Sequence, residues 1–93
     1  MTMAETIRDK LTASFAPDAL DVVDESARHE GHAGHRPGGE THFDVRIVSK
    51  AFEGLTRVER QRRVYACLAD ELKARVHALS LTTLTPAEVW NEH

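Results

Sequence analysis

The stretch that most constrains how this chain can fold runs from His42 to Leu84. It opens on HFDVRIVS, residues 42–49, where Phe43, Val45 and Ile47 alternate with His42, Asp44 and Arg46. A two-residue period of this kind suits a strand with one packed face and one open face. After the short connector Phe52-Glu53-Gly54, the run Thr56-Arg57-Val58-Glu59 has the form of a capping box, in which the Thr oxygen serves a first-turn N–H and the Glu reaches back. A helix therefore starts there. Its apolar stripe is Val58, Val64, Tyr65, Leu68 and Leu72, interrupted by Gln61, with Arg60, Arg62, Arg63, Asp70, Glu71 and Lys73 largely outside it. VHALSLTTL, residues 76–84, closes the unit as a further strand with His77, Leu79 and Leu81 on one face. Strand, helix and strand in this order form a βαβ crossover, whose strands run parallel when they share a sheet.

The rest of the chain adds elements on either side. Ile7, Leu11 and Phe15 recur at four-residue steps among Asp, Lys and Arg, which predicts a helix over residues 3–15 that Pro17 ends. LDVVDES, residues 20–26, is short and β-branched at its centre and reads as strand one. Thr85-Pro86-Ala87-Glu88 repeats the capping box with Pro at the first helical position, so a short last helix carries Val89 and Trp90. The expected architecture is a single α+β domain of order α-β-β-α-β-α with a three-stranded mixed sheet, and 93 residues suffice for one modest core.

Strands one and two are joined by a long loop, residues 27–41, too long for a tight hairpin turn; loops of that length are usually functional or mobile. Within residues 28–43, RHEGHAGHRPGGETHF, lie four of the six histidines: His29, His32, His35 and His42. If strands one and two are antiparallel, this loop sits where strand two begins, and a parallel strand three begins at the same end. His77, expected as the second residue of that strand, is thereby brought toward the loop histidines.

Composition narrows the chemistry. Cys67 is the only cysteine, so no internal disulfide forms and no cysteine pair holds a metal alone. Cys67 itself reads as a small core residue of the helix. Any metal site must use histidine, carboxylate or a partner's ligands. The spacing His29-x-x-His32-x-x-His35 matches neither a zinc finger nor a helical zincin. Its plainer reading is a solvated Gly-rich loop that takes divalent metal opportunistically, and the plainer reading of His77 is a hydrogen-bonded strand histidine. His42, opposite Phe43, is either a strand-edge residue or a reserve ligand.

A net charge of −3 argues against the uniformly basic surface of a dedicated nucleic-acid binder, yet charge is unevenly spread. From Arg46 to Arg63 six basic residues stand against Glu53 and Glu59. Arg57, Arg60, Arg62 and Arg63 form either a solvated face or a cationic patch able to neutralise phosphates. No Ser-His-Asp set, phosphate loop or nucleotide fingerprint occurs, so an enzyme is not expected. No apolar run is long enough to span a bilayer, and MTMAETIRDK lacks the apolar segment of a signal peptide, so the expected setting is cytoplasmic without a membrane partner.

Six motifs together resemble the BolA family: DES-x-x-H at residues 24–29, GGETHF at 38–43, IVS-x-x-FEG at 47–54, Arg60-Gln61-Arg62, L-A-x-E-L at 68–72 and VHAL at 76–79. The resemblance spans Ile7 to Trp90 and implies an α-β-β-α-β-α fold related to class II KH domains. It also implies that His77, the histidine of the VHAL motif, joins a ligand from the loop to bind a [2Fe-2S] cluster shared with a monothiol glutaredoxin, which supplies its own cysteine and that of bound glutathione. The DES-x-x-H match puts the loop ligand at His29, with His32 and His35 in reserve on residues that the simpler family pattern lacks. The expected function is thus a non-enzymatic module of iron–sulfur and iron homeostasis, monomeric or weakly homodimeric without its partner. The alternative is a DNA-binding transcriptional regulator that uses the basic face of helix two, where Gln61 replaces the histidine of many relatives.

Overall fold

The computed structural model describes residues 2–25 and 42–91. Helix α1 (Met3–Phe15) begins at Thr2, whose hydroxyl accepts the Glu5 N–H at 3.1 Å. It ends where Ala16 takes a left-handed φ of 43° and returns its N–H to the Thr12 carbonyl, just before Pro17. The four-residue spacing seen in the sequence buries Ile7 and Leu11.

Three strands follow in the sheet order β1-β2-β3: β1 (Ala19–Asp24), β2 (His42–Val48) and β3 (Ala78–Leu84). β1 pairs antiparallel with β2, Leu20 opposite Ile47, and β2 pairs parallel with β3, Phe43 opposite Leu79. One sheet face carries Phe43, Val45 and Ile47, which join Ile7, Leu11, Phe52, Val64, Leu68 and Val76 in one core. Burying side chains of this size contributes about 1.5–3 kcal/mol each before the entropy of ordering is set against it. The other face exposes His42, Asp44, Ser80 and Thr82.

Between β2 and the next helix, Lys50–Phe52 make a 3-10 turn. Ser49 accepts the Ala51 N–H at 3.0 Å and donates to the Phe15 carbonyl at 2.6 Å, so the turn is tied to the end of α1. Phe52 enters the core with its ring centroid 5.1 Å from that of Phe15. Gly54 has φ +79°, a conformation that a side-chain-bearing residue would hold under strain.

Four expectations are corrected. Strand one runs from Ala19 to Asp24 rather than to Ser26, which lies outside the described residues. The long helix is two: α2 (Arg57–Cys67) and α3 (Ala69–Ala74), broken at Leu68, where φ −102° and ψ 18° leave the helical well. Neither Gly nor Pro marks that break; it falls on a residue almost fully enclosed by the core. The inward face of α2 is Arg60 and Val64, while Val58 and Tyr65 are exposed, because an arginine stem takes the position nearest the end of β3. Strand three starts at Ala78, so His77 precedes it. Helix α4 (Pro86–Asn91) closes the described chain without burying a residue, and Trp90 is 79% exposed. Among the described residues no helix is long and apolar enough to cross a membrane.

Candidate functional site: the histidine end of the sheet

The start of β2, the start of β3 and the end of β1 meet at one end of the sheet. His42 is the register partner of Ala78, and Asp24 is the partner of Phe43. His77, exposed, is the residue before Ala78 and so sits beside the end from which β2 departs. His42 is exposed as well, on the face opposite Phe43. The segment that carries His29, His32 and His35 joins Glu25 to His42; those three histidines lie outside the described residues.

The turn that presents His77 is built by α3. The Glu71 carbonyl accepts both the Arg75 and the Val76 N–H at 3.0 Å, and the Val76 side chain is buried in the core. Because the Val76 N–H is committed to the helix end, it cannot join the ladder with β2, and β3 begins two residues later than the apolar pattern suggests. His77 is consequently held between an anchored Val76 and a paired Ala78.

Imidazole is a suitable ligand for iron, and replacing thiolate by histidine on a cluster iron raises its potential. Among the described residues no three His, Cys, Asp or Glu side chains group as a metal site. Of the candidate ligands, His42 and His77 are the two that the described residues place at this end of the sheet. Cys67 adds nothing to it: its Sγ lies 3.2 Å from the Ser14 hydroxyl and 3.6 Å from the Lys10 carbonyl, on the α1 side of α2.

The arginines of α2 divide into two kinds. Arg57, Arg62 and Arg63 are exposed. Arg60, expected in the same patch, is 9% exposed and turned inward. Its Nε donates to the Leu55 carbonyl at 3.0 Å, Nη1 to the Thr83 carbonyl at 3.1 Å, and the fork to Glu88 at 2.6 and 3.2 Å. Glu88 also caps α4, accepting the Thr85 N–H at 2.8 Å. The hydrogen bond from Arg60, with that cap behind it, lowers the Glu88 carboxyl to about 2. Arg60 is thus a structural fork between α2, β3 and α4, and it leaves the cationic surface to the other three. Within that surface the Thr56 cap holds the Glu59 carboxyl below its ordinary value, with Arg63 and Arg62 adding to the effect, so an anion persists among the cations.

Two residues behind the turn that presents His77 carry no local signature of their pairing in the sequence. Lys10 and Glu71 pair at 2.9 Å although they stand 61 positions apart, and Glu71 is 8% exposed. Glu71 looked like one more charge on a wet helix face. Only its place in L-A-x-E-L, close before VHAL, hinted otherwise.

The three-stranded mixed sheet and its helices, with an exposed imidazole just before β3, define a small α+β domain. The chain belongs to the BolA-like family, whose model, described as BolA-like protein, matches residues 11–88. It is 51% identical over 87 residues to SufE-like protein 1, chloroplastic/mitochondrial, of Arabidopsis thaliana, a match that covers 89% of this chain and 24% of that protein. With the DNA-binding transcriptional regulator BolA of Escherichia coli it shares 47% identity over 88 residues, 95% of this chain and 80% of the relative. BolA1 from Arabidopsis thaliana superposes with a TM-score of 0.82 at 47% identity, covering 91% of this chain and 93% of that structure. This chain thus spans about a quarter of the SufE-like relative's length.

Proposed function

We propose that this chain is a non-enzymatic binding module that shares a [2Fe-2S] cluster with a monothiol glutaredoxin and serves iron–sulfur and iron homeostasis. The observation that carries the reading is the parallel β2–β3 register, which sets exposed His77 beside the start of β2, where the segment bearing His29 ends. His77 would supply one imidazole and His29 the second, with His32 or His35 able to stand in. The glutaredoxin cysteine and the thiol of glutathione would complete the set. When bound, such a cluster supplies an iron–sulfur unit whose histidine ligation is sensitive to protonation. The chain's own work is to hold an imidazole at a fixed place and to offer surface to the partner. Cytoplasm is the compartment that goes with this reading, although the SufE-like relative's name places that protein in chloroplasts and mitochondria. The test is to mix the purified chain with a monothiol glutaredoxin, glutathione, iron and sulfide. A mixed complex with a cluster absorbance supports the reading; separate elution of the two proteins, with any cluster on the glutaredoxin alone, ends it.

A second reading, DNA-binding regulation, is favoured by the name of the Escherichia coli relative and by the exposed Arg57, Arg62 and Arg63 on α2. Phosphate neutralisation by these residues would give salt-dependent binding. Binding of duplex DNA that is absent even at low ionic strength would remove it.

A further inference from the structure

We infer that Glu71, clamped by Lys10, is a positioning residue for His77; the inference rests on His77 being the module's ligand. Two halves of Glu71 act on different parts of the fold. Its side chain is almost enclosed and takes Lys10 Nζ at 2.9 Å on each carboxylate oxygen, which ties α3 to α1 across the domain. Its carbonyl accepts the N–H groups of Arg75 and Val76, which shapes the turn that delivers His77. Between Val76, buried and bonded to Glu71, and Ala78, paired with His42 in the sheet, His77 is exposed with both neighbours fixed.

The clamp is electrostatically built. The hydrogen bond to Glu71 raises the Lys10 pKa, with the same carboxylate and Asp70 adding Coulombic attraction. Asp70 is a minor partner at 3.9 Å with an exposed side chain. Removing Lys10 leaves the Glu71 carboxylate enclosed without its counter-charge, and the side chain then swings out toward water. That movement drags α3, and with it the Glu71 carbonyl on which the Val76 N–H rests. Helix α1 is anchored independently by Ile7 and Leu11, so the disturbance passes to the α3–β3 turn rather than into the core.

The test uses the full chain without metal, then the mixed complex. In Lys10→Met, hydrogen exchange of the Val76 amide should accelerate about fivefold, as expected for loss of one hydrogen bond's net contribution, while Val45 and Ile47 keep wild-type protection. The His77 ring resonances should shift, and the charge-swapped pair Lys10→Glu with Glu71→Lys should restore both readouts. Glu71→Gln, which retains an acceptor for Lys10, should show a smaller change and serves where Lys10→Met does not fold. Wild-type Val76 exchange and wild-type His77 ring resonances in these variants overturn the proposal, as does equal acceleration at Val45 and Ile47, which would mark general destabilisation. In the glutaredoxin complex the Lys10→Met variant should shift the visible circular-dichroism bands of the cluster. If His77→Ala leaves the cluster spectrum unchanged, the ligand reading fails, and the metal-free measurements still decide whether Glu71 positions His77.

Discussion

Replacing Arg60 by Ala removes the fork that joins α2, β3 and α4. Four hydrogen bonds disappear: one each to the Leu55 and Thr83 carbonyls and two to Glu88. Taking one partner from a buried ion pair costs about 3–5 kcal/mol. Here the Glu88 side chain is 43% exposed, so water re-solvates the abandoned carboxylate and the cost falls to about 2–3 kcal/mol. For a domain of this size that corresponds to a drop in thermal midpoint of roughly 10–20 °C. The assay is urea unfolding followed by circular dichroism, with Arg62→Ala and Arg63→Ala as controls; both exposed arginines should change stability by less than about 0.5 kcal/mol. If Arg60→Ala is as mild as the controls, the fork is not what secures α4, and the division of the arginines into inward and outward kinds is wrong.

Other outcomes rest on the same side chains and their neighbours. Because Arg60 lowers the Glu88 carboxyl from 4.5 to about 2, the pair contributes in full above pH about 4.5 and its contribution is lost as pH falls toward 2. Glu88→Gln should flatten the fall in thermal midpoint across that window, and an unchanged slope would contradict the pairing. Thr83 Oγ1 is buried and has no hydrogen-bond partner among the described residues, so Thr83→Val should raise stability by about 0.5–1 kcal/mol in urea unfolding, whereas a loss would mean the hydroxyl is satisfied. If DNA is bound through α2, each of Arg57→Ala, Arg62→Ala and Arg63→Ala should reduce the log–log salt slope by about 0.9 for every phosphate that is no longer neutralised, as read by titration of labelled duplex.

Much of the fold was legible because its signals are local. The alternation of residues 42–49 set β2 and its inward face, the Pro17 stop bounded α1, and both capping boxes are present as hydrogen bonds. The mixed sheet followed from the βαβ order, and it sets His77 and His42 at one end; the expected approach of His77 to His29, His32 and His35 lies outside the described residues. What the sequence hid was tertiary. Arg60 looked like its neighbours Arg62 and Arg63, since a guanidinium finds its partners on β3 and α4 only after the chain has folded. Glu71 was hidden for the same reason, its partner lying on the first helix. The break at Leu68 has no local breaker residue, and the delayed start of β3 comes from a backbone N–H spent on the helix end.

Whether His77 anchors a cluster shared between this chain and a monothiol glutaredoxin is decided by reconstituting the pair with wild type and with His77→Ala under the same conditions. Visible absorbance and circular dichroism report the cluster, and the elution volume reports the complex. His77 is exposed and precedes β3, so the variant should keep the wild-type fold and thermal midpoint within about 0.5 kcal/mol of stability. The folded variant should lose the shared cluster or leave it on the glutaredoxin alone. A folded His77→Ala protein that still elutes with the glutaredoxin and carries the wild-type cluster spectrum would contradict that role of His77.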